Sequence, residues 1–336
     1  MILTYSWISA VGMTKTIRLD EFGGPEVLKW TEVATGDPGP GEARVAHTAI
    51  GVNLIDTYFR SGLYPIELPS GLGSEAAGMV SAVGSGVDHV QVGDRVAYVT
   101  PPPLDGYSEE RLLDAARLVK LPQGVEDETA AAMMLKGMTS WYLLHRSYPV
   151  QVGQWIVLYA AAGGVGSILS QWASGIGARV IGIVSTEEKR EVALGHGCEH
   201  VLLAEEEVVG RVRELTDGEG VPVVYDSIGR DTFVQSLDCL RPHGFMVSFG
   251  NASGLVEPFT PLDLQTRGSL YVTRPTLWNF IATRDELIEA SSALFNMVGS
   301  GKVSIEVNQR YPLSSAAEAH RDLEARRTTG CTILSP

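Results

Sequence analysis

The sequence predicts an α/β protein that joins a doubly wound parallel sheet to a smaller β-rich domain. Two observations carry this prediction. From Gln154 onward, apolar runs alternate with helix-like segments, which is the rhythm of βαβ units in a parallel sheet. Before that point, short alternating apolar stretches are separated by Gly, Pro and Asp turns, as in small barrels and sandwiches. A chain of 336 residues has room for two such domains.

The first third of the chain is predicted to form the β-rich domain. Strands are expected at 43–50, 78–83 and 95–99, and a helix at 127–148 that ends before Pro149. Residues 1–12 lack Lys and Arg and show no clear cleavage site, so they make a poor signal peptide. Met13 is followed by a strand-like stretch and is typical of the natural first residue of such a chain. We therefore expect 1–12 to be a disordered extension.

The composition of the chain limits the classes of partner that it is expected to bind. The formal net charge of −14 disfavours nucleic acid or an anionic membrane as the main partner, and no apolar run reaches the roughly 18 residues of a membrane helix. The three cysteines, Cys198, Cys239 and Cys331, are far apart and form no Cys-x-x-Cys pair. They indicate neither a disulfide framework nor a zinc site, so a cytoplasmic location is expected.

The parallel sheet is predicted to begin with a strand at 155–159, a glycine turn, a helix at 167–175 and a strand at 179–184. Further apolar runs at 221–225, 245–249 and 270–272 continue the sheet, and helix 285–299, strand 304–307 and helix 314–325 close the chain.

The glycine turn, 160–166, has the chemistry of a phosphate-binding loop. Small residues let the backbone approach a pyrophosphate at a helix N-terminus, where N–H groups and the helix dipole favour an anion. Ala161 occupies the first glycine position of the dinucleotide motif, and Gly166 allows close packing of the helix on the strand. A plain tight turn is the alternative for the motif alone, but its place in a βαβ unit favours dinucleotide binding. The predicted binding residues here are Ala162, Gly163, Gly164, Val165 and Gly166.

The choice of dinucleotide follows from charge at the end of the second strand. NAD enzymes usually place an acid there to hold the ribose hydroxyls, whereas this strand ends at the neutral Ser185. Lys189 follows four residues later. An acid would repel a 2′-phosphate, so Ser185 and Lys189 favour NADPH, with NADH also possible. The alternative for Lys189 is a solvated lysine on a charged helix.

Seven stretches of the chain, in the same order, closely resemble the quinone oxidoreductases, including the zeta-crystallin relatives, of the zinc-free medium-chain dehydrogenase/reductase superfamily. They are 51–58 (GVNLIDTY), 73–78 (GSEAAG), 92–96 (VGDRV), 160–166 (AAAGGVG), 224–232 (VYDSIGRDT), 246–251 (MVSFGN) and 268–275 (GSLYVTRP). The resemblance runs from about Met13 to Pro336, and bacterial NADPH:quinone reductases are particularly similar.

The resemblance implies a division into domains. A GroES-like barrel, the catalytic domain, would comprise 13–137 and the returning C-terminal part 275–336. A Rossmann domain at 138–274 would be inserted between them, with the active site in the cleft.

The resemblance also implies that no metal is needed. Asn53 stands where zinc alcohol dehydrogenases carry a cysteine ligand, and Ser74 where they carry histidine. The stretch 99–107 contains none of the cysteines of their structural zinc lobe. Zinc needs nitrogen and sulfur ligands in tetrahedral number, so neither site can be assembled.

The resemblance places the reaction among Asn53, Asp56, Tyr58, Tyr64 and Arg274. Hydride would leave the nicotinamide, held at Asn53, for a quinone that lies against the tyrosine rings. Arg274 would offer positive charge to a developing oxyanion. Other roles stay open: a helix cap for Asp56, barrel packing for either tyrosine, and a structural salt bridge for Arg274.

Further cofactor contacts are expected elsewhere. The turn after a sheet strand makes Phe249 and Asn251 cofactor candidates. The resemblance adds Thr139, near Lys136 at the domain junction, although Lys136 would also suit the surface. Ala204 stands where the bacterial relatives carry a tyrosine beside the 2′-phosphate, so selectivity for NADPH rests more heavily on Lys189.

The predicted function is therefore transfer of reducing equivalents from NADPH to quinones. An NADPH-dependent reductase of α,β-unsaturated carbonyl compounds is an alternative that uses the same hydride step. A role in RNA binding or as a structural protein, as in zeta-crystallin relatives, is disfavoured by the negative charge. A homodimer is expected because 268–272 reads as an exposed edge strand that a partner would cover.

Overall fold

The computed structural model describes residues 12–336. The extension predicted at 1–12 lies outside the described residues except for Gly12, which already belongs to the first strand. The strands are β1 (Gly12–Leu19), β2 (Lys29–Thr35), β3 (Glu42–Val52), β4 (Ser70–Gly71), β5 (Glu75–Val83), β6 (Arg95–Val99), β7 (Glu110–Asp114), β8 (Val119–Lys120), β9 (Trp155–Tyr159), β10 (Arg179–Val184), β11 (His200–Leu203), β12 (Val221–Asp226), β13 (Leu240–Ser248), β14 (Tyr271–Thr273), β15 (Val307–Pro312) and β16 (Cys331–Ser335). The α-helices are α1 (Leu54–Ser61), α2 (Asp127–Tyr142), α3 (Gly164–Ile176), α4 (Glu187–Gly195), α5 (Val208–Leu215), α6 (Phe233–Asp238), α7 (Pro261–Thr266), α8 (Arg284–Gly299) and α9 (Ala316–Glu324).

The second half of the chain forms a six-stranded sheet in the order β11-β10-β9-β12-β13-β14, with every neighbouring pair parallel. The chain runs outward from β9 to β11 and then, from β12, in the opposite direction. The reversal falls between β9 and β12, where such sheets open a crevice for ligands at the carboxyl ends of their strands. Val157, Ile181 and Val224 are fully buried at its centre. This is the Rossmann sheet that the sequence predicts.

The first third of the chain forms the GroES-like barrel that the resemblance implies. A seven-stranded sheet runs β15-β16-β3-β5-β6-β8, with β7 also paired to β3, and a three-stranded sheet runs β2-β1-β4. The C-terminal strand β16 pairs antiparallel with β3, placing Ile333 opposite Gly51. The end of the chain thus completes the sheet begun by its first third. The exact domain boundaries stay a prediction.

Helix α2 lies between the two sheets. It packs against β3, β5 and β6 on one side and against α3 and α8 on the other. Its residues Ala131, Met134 and Met138 are fully buried, which explains why this segment is apolar nearly all round. Gly137 lets α8 approach closely, since a side chain there would place its Cβ 2.4 Å from Cδ1 of Leu294.

Several predicted elements have different bounds, and two of the differences are informative. The helix expected at 127–148 is α-helical only to Tyr142, and a π-helical turn covers Leu143–Ser147. The strand expected at 304–307 is wrong: β15 runs over Val307–Pro312. Its register is set by parallel pairing with the distant β16, a partner that local hydrophobicity does not reveal. Within residues 12–336, no helix is both long and apolar enough to cross a membrane.

Candidate active site

A cleft of about 1360 Å³ separates the two sheets, larger than the roughly 300–1,000 Å³ of a typical small-molecule pocket. Both sheets and the C-terminal tail contribute to its wall. It lies at the carboxyl ends of the parallel strands, where the topology predicts a ligand. The residues predicted from sequence that line it are Asn53, Tyr58, Tyr64, Thr139, Ala162, Gly163, Gly164, Val165, Gly166, Ser185, Lys189, Phe249, Asn251 and Arg274. Asp56 is the exception.

The glycine loop links β9 to α3 at the centre of the cleft. Ala160 adopts a left-handed backbone with φ of 54° and accepts a hydrogen bond from the Gly163 amide (2.8 Å). At Gly166, a Cβ would lie 2.1 Å from the Ala160 carbonyl oxygen, so only glycine fits. Helix α3 begins at Gly164 without a side-chain cap. Its first N–H groups are therefore available to an anion, and this cradle fits a pyrophosphate.

The end of the cleft beyond β10 is positively charged. Ser185 follows the strand, and Nζ of Lys189 lies 3.5 Å from its hydroxyl. Arg326 lines the same cleft, as does Ala204. Burial and, secondarily, the Arg326 charge lower the pKa of Lys189. Among residues 12–336, neither cation is ion-paired with a carboxylate, so both charges are free for an anionic ligand.

Arg326 was missed from the sequence. It follows α9 in the C-terminal tail, far along the chain from the parallel strands. Its backbone is left-handed, with φ of 59°. The local sequence pattern does not predict that this tail returns to the end of the cleft beyond β10, because that return depends on the pairing of β16 with β3.

The opposite part of the cleft wall contains a buried polar cluster around Glu75, a fully buried residue at the start of β5. The Asn53 side-chain amide donates to its Oε1 at 2.8 Å, Lys136 Nζ donates to the same oxygen at 3.3 Å, and the Leu135 amide donates to Oε2 at 2.6 Å. Lys136 also donates to the Val52 carbonyl at 3.2 Å.

The prediction that Lys136 lies on the surface is therefore wrong, because its ammonium group is buried and donates to a carboxylate and a backbone carbonyl. Burial is the largest single effect and lowers the pKa of Lys136, but the attractions of Glu75, Cys331 and Asp56 together outweigh it, so the pKa is raised. Glu75 itself was missed. The signal was present, since an acid directly before the apolar run Ala76-Ala77-Gly78 in a barrel strand is costly to bury without a partner.

Asp56 lies behind the cleft wall rather than on it. It is the third residue of α1 and accepts a hydrogen bond from the Asn53 backbone amide (2.8 Å), which is half of a capping box. The Tyr107 hydroxyl also donates to it, at 2.9 Å. Burial raises the pKa of this carboxyl to about 7. The geometry matches the helix-cap reading, and a catalytic role for Asp56 stays a prediction.

Two tyrosines of the barrel meet the parallel sheet across the cleft. The Asn251 backbone amide donates to the Tyr58 hydroxyl at 3.2 Å, and Arg274 donates to the Tyr64 hydroxyl at 2.7 Å. With its amide oxygen facing Tyr64, Asn251 accepts from both Tyr64 (3.0 Å) and Arg274 (3.2 Å). Burial raises the pKa of Tyr58 to about 12, so this hydroxyl keeps its proton.

Arg274 forms no ion pair with a carboxylate anywhere in the described part of the chain. It donates to the Ser248 carbonyl (2.8 Å) and to Tyr64 instead. The salt bridge expected as an alternative is therefore not observed, and no carboxylate of the described residues is paired with this guanidinium at the cleft wall.

Asp226, at the end of β12, is a further residue missed from the sequence. It is fully buried and accepts hydrogen bonds from the amides of Ile228 (2.7 Å) and Gly229 (3.1 Å) and from the hydroxyls of Thr232 and Ser236 (both 2.7 Å). These contacts fix the loop after β12, part of which lines the cleft. The acid at the end of an apolar strand was the available signal.

Metal ligands are sparse in the part of the chain that the structure describes. Residues 12–336 contain no group of three or more His, Cys, Asp or Glu side chains that would hold a metal ion. Cys198, Cys239 and Cys331 are all buried and free.

Known proteins share both the sequence and this architecture. Two family models match: "Alcohol dehydrogenase GroES-like domain" over residues 39–147 and "Zinc-binding dehydrogenase" over residues 164–294. A quinone oxidoreductase of Pseudomonas aeruginosa is 52% identical and covers 96% of this chain and 100% of its own. A 2-haloacrylate reductase of a Burkholderia species is 47% identical, over 94% of this chain and 96% of its own.

A solved structure is similar throughout. The Escherichia coli quinone oxidoreductase complexed with NADPH superposes with a TM-score of 0.94 at 48% identity, and the match covers 96% of this chain and 100% of that chain.

The raised pKa of Asp56 predicts how stability depends on pH. Between about pH 4 and 7, the folded protein keeps a proton on Asp56 that the unfolded chain releases. The free energy of unfolding should therefore fall as pH rises through this window, by up to about 1.4 kcal/mol per pH unit from this group. Asp56→Asn cannot ionise, and it should lose this contribution and gain stability relative to the wild type at pH 8.

Urea unfolding at pH 5 and pH 8 measures the effect. Asp88→Asn is the matched control, because its side chain is 96% exposed, and its profile should follow that of the wild type. An unchanged pH slope in Asp56→Asn would show that this carboxyl does not titrate in the folded protein.

Proposed function

The chain belongs to the quinone oxidoreductase family, and on that premise we propose that it transfers a hydride from NADPH to a quinone without a metal ion. The observation that carries the proposal is the layout of one continuous cleft. It contains a pyrophosphate cradle at the glycine loop, two unpaired cations beyond β10, and a wall of tyrosines beside Arg274. The 52% identity to a quinone oxidoreductase over nearly the whole chain supports the same assignment.

NADPH is favoured over NADH by the charges at the ribose end. Lys189 and Arg326 would both face a 2′-phosphate, and the position directly after β10, where an acid would hold the ribose hydroxyls, is the neutral Ser185. Ala204 lines this pocket with a small apolar side chain and offers no hydrogen bond to the phosphate. The similar E. coli enzyme was solved in complex with NADPH, which supports this choice. NADH remains the weaker alternative.

At the other end, NADPH supplies the hydride when bound, and the protein's own residues orient the acceptor. Tyr58 and Tyr64 lie edge to face with ring centroids 5.2 Å apart and offer an apolar wall to a quinone ring. Tyr58 holds its proton and can donate a hydrogen bond to the reduced oxygen. The Arg274 guanidinium stabilises the negative charge that develops there.

Metal independence follows from the donor chemistry at the position of a catalytic zinc. Asn53 and Ser74 offer an amide and a hydroxyl, and Glu75 is already occupied by three donors. Zinc sites in proteins are built from Cys, His and carboxylate ligands, so this set is a poor match. Positive charge at the acceptor oxygen must then come from Arg274.

A second acceptor class has a specific observation in its favour. The 2-haloacrylate reductase is 47% identical to this chain. An acrylate carries a carboxylate beside its carbon–carbon double bond, and the free guanidinium of Arg274 suits such a group. Reduction of an α,β-unsaturated carboxylate is therefore the alternative to quinone reduction at the same site.

We also propose a homodimer in the cytoplasm. Strand β14 is the edge of the parallel sheet, and Tyr271 on it is 54% exposed while stacking on Phe245 with ring centroids 4.6 Å apart. An unpaired edge bearing exposed aromatic surface is typical of a strand that pairs with a second copy. Three buried, unpaired cysteines agree with a reducing compartment.

Steady-state oxidation of NADPH and NADH with 1,4-benzoquinone, an ortho-quinone, an enal and 2-chloroacrylate tests the proposal. We expect quinones to be reduced best, NADPH to be preferred, and activity to persist in the presence of a chelator. Faster turnover of 2-chloroacrylate than of either quinone would favour the alternative acceptor. Loss of activity on chelation would contradict the metal-independent mechanism.

The two cations predict a selective effect of substitution. Lys189→Ala and Arg326→Ala should each weaken NADPH binding by about 5- to 30-fold, because a charge-assisted hydrogen bond to the 2′-phosphate contributes about 1–2 kcal/mol. NADH binding should change less than twofold. Fluorescence titration of both cofactors measures this, with the nearby Arg327→Ala, whose partner is Asp322, as the control. An equal loss for both cofactors would contradict the assignment.

The edge strand predicts the assembly. Tyr271→Asp places a carboxylate on the proposed interface, where two copies would bring like charges together, and it should produce a monomer by light scattering. Val152→Asp, at a residue 79% exposed elsewhere on the surface, should leave the dimer intact. A monomeric wild type at micromolar concentration would refute the proposal.

A further inference from the structure

We infer that Glu75 is a positioning residue: it fixes the Asn53 side-chain amide so that the amide oxygen faces the nicotinamide carboxamide of bound NADPH. The inference rests on the proposed cofactor and goes beyond it, because it assigns a task to a buried residue that does not line the cleft.

Glu75 can only accept hydrogen bonds, and that fact orients Asn53. An asparagine amide presents NH₂ on one side and oxygen on the other, and the two orientations occupy nearly the same volume. The carboxylate Oε1 takes the NH₂ group at 2.8 Å. The reversed amide would set two oxygens against each other in a buried site, so it is strongly disfavoured.

The amide oxygen that results has no partner. Asn53 is 3% exposed and lines the cleft, and its Oδ1 is buried without a hydrogen bond. Buried polar atoms are nearly always satisfied in folded proteins, so an orphaned acceptor on a cleft wall indicates a donor brought by the ligand. The Asn53 side chain belongs to the capping box of α1 and faces the Asp56 amide, but that amide donates to the Asn53 backbone carbonyl (3.0 Å), so no hydrogen bond to Oδ1 is formed.

The order of the strands indicates which donor this is. Along the sheet, the cations lie beyond β10, the glycine loop follows β9, and Asn251 follows β13. A dinucleotide with its 2′-phosphate at Lys189 and its pyrophosphate at the loop extends its nicotinamide toward the β13 side. Asn53 caps α1, the helix whose Tyr58 accepts a hydrogen bond from the Asn251 amide on that side (3.2 Å), and the carboxamide is the neutral N–H donor at that end of NADPH.

Lys136 holds Glu75 in place and connects it to the loop. Its ammonium group donates to Glu75 and Val52, and its aliphatic chain packs over Gly164, where a Cβ would lie 2.9 Å from Lys136 Cδ. The cluster therefore spans the barrel strand β5, the helix α2 and the glycine loop. Its geometry sets the distance between Asn53 and the pyrophosphate cradle.

Glu75→Gln makes the test sharp. Glutamine has one oxygen, but Glu75 uses both of its oxygens, one for Leu135 and the other for Asn53 and Lys136. When the glutamine oxygen serves Leu135, its NH₂ faces Asn53, and the Asn53 amide inverts and turns its own NH₂ to the cleft. The carboxamide donor then meets a donor rather than an acceptor.

We expect Glu75→Gln to weaken NADPH binding by about tenfold or more, the cost of a lost buried hydrogen bond. Binding of 2′,5′-ADP, which carries the 2′-phosphate but no nicotinamide, should change less than twofold. Isothermal titration with both ligands measures this. Asp238→Asn, which removes the partner of Arg267 outside the cleft, is the matched control and should affect neither ligand.

Asn53→Ala should show the same selective loss, and adding Glu75→Gln to it should cost nothing further, because the two residues act through one oxygen. Additive losses, equal losses for both ligands, or unchanged NADPH binding would each overturn the inference.

Two controls keep the test decisive. If Glu75→Gln does not fold, because Lys136 is left unpaired, Glu75→Gln with Lys136→Met removes both charges, and the same selective loss is expected. If the wild type binds 2′,5′-ADP but neither NADPH nor NADH, the proposed function fails. If it binds NADPH and reduces quinones while the variants stay unselective, only the role of Glu75 fails.

Discussion

The close approach of Gly166 to the Ala160 carbonyl is the constraint on which the site depends. Because the two backbones nearly touch, α3 begins directly above the end of β9, and its free N–H groups face the cleft. A side chain at Gly166 would push the helix away and remove the pyrophosphate cradle. The other contacts proposed for the cofactor take their positions relative to this point: Lys189 one strand away on the outer side, Asn251 two strands away on the other.

The barrel has to be held in register with that cradle, and α2 does so. It is buried by both sheets, and its Lys136 extends from the glycine loop to Glu75 on β5. A buried ion pair of this kind contributes little net stability, since desolvation offsets most of the attraction. Its geometry is more specific than an apolar contact would be, which suits a place where two domains must present their side chains to one ligand.

Much of this was predictable from sequence, for physical reasons. Strand, glycine turn and helix follow local periodicity, so the Rossmann sheet and the phosphate loop could be identified, and Ser185 with Lys189 follow from their place after β10. Local pattern cannot report pairing between distant segments. The position of Arg326 could therefore not be predicted, because it depends on the return of the C-terminal tail. The bounds of β15 depend on its pairing with β16, and the burial of Lys136 depends on the carboxylate of Glu75.

The residues proposed to bind the cofactor are divided between segments that are remote in the chain, and this division has a consequence. Lys189 belongs to the parallel sheet, whereas Asn53 follows β3 of the barrel and Arg326 belongs to the tail that returns to it. On the proposed assignment, both ends of an extended dinucleotide would be held partly by the barrel and the returning tail, and its middle by the parallel sheet. Any displacement of one sheet against the other would loosen both ends at once. The Tyr64–Arg274 and Tyr58–Asn251 hydrogen bonds cross the same cleft, so the acceptor pocket and the cofactor site are assembled by the same closed arrangement of the two domains.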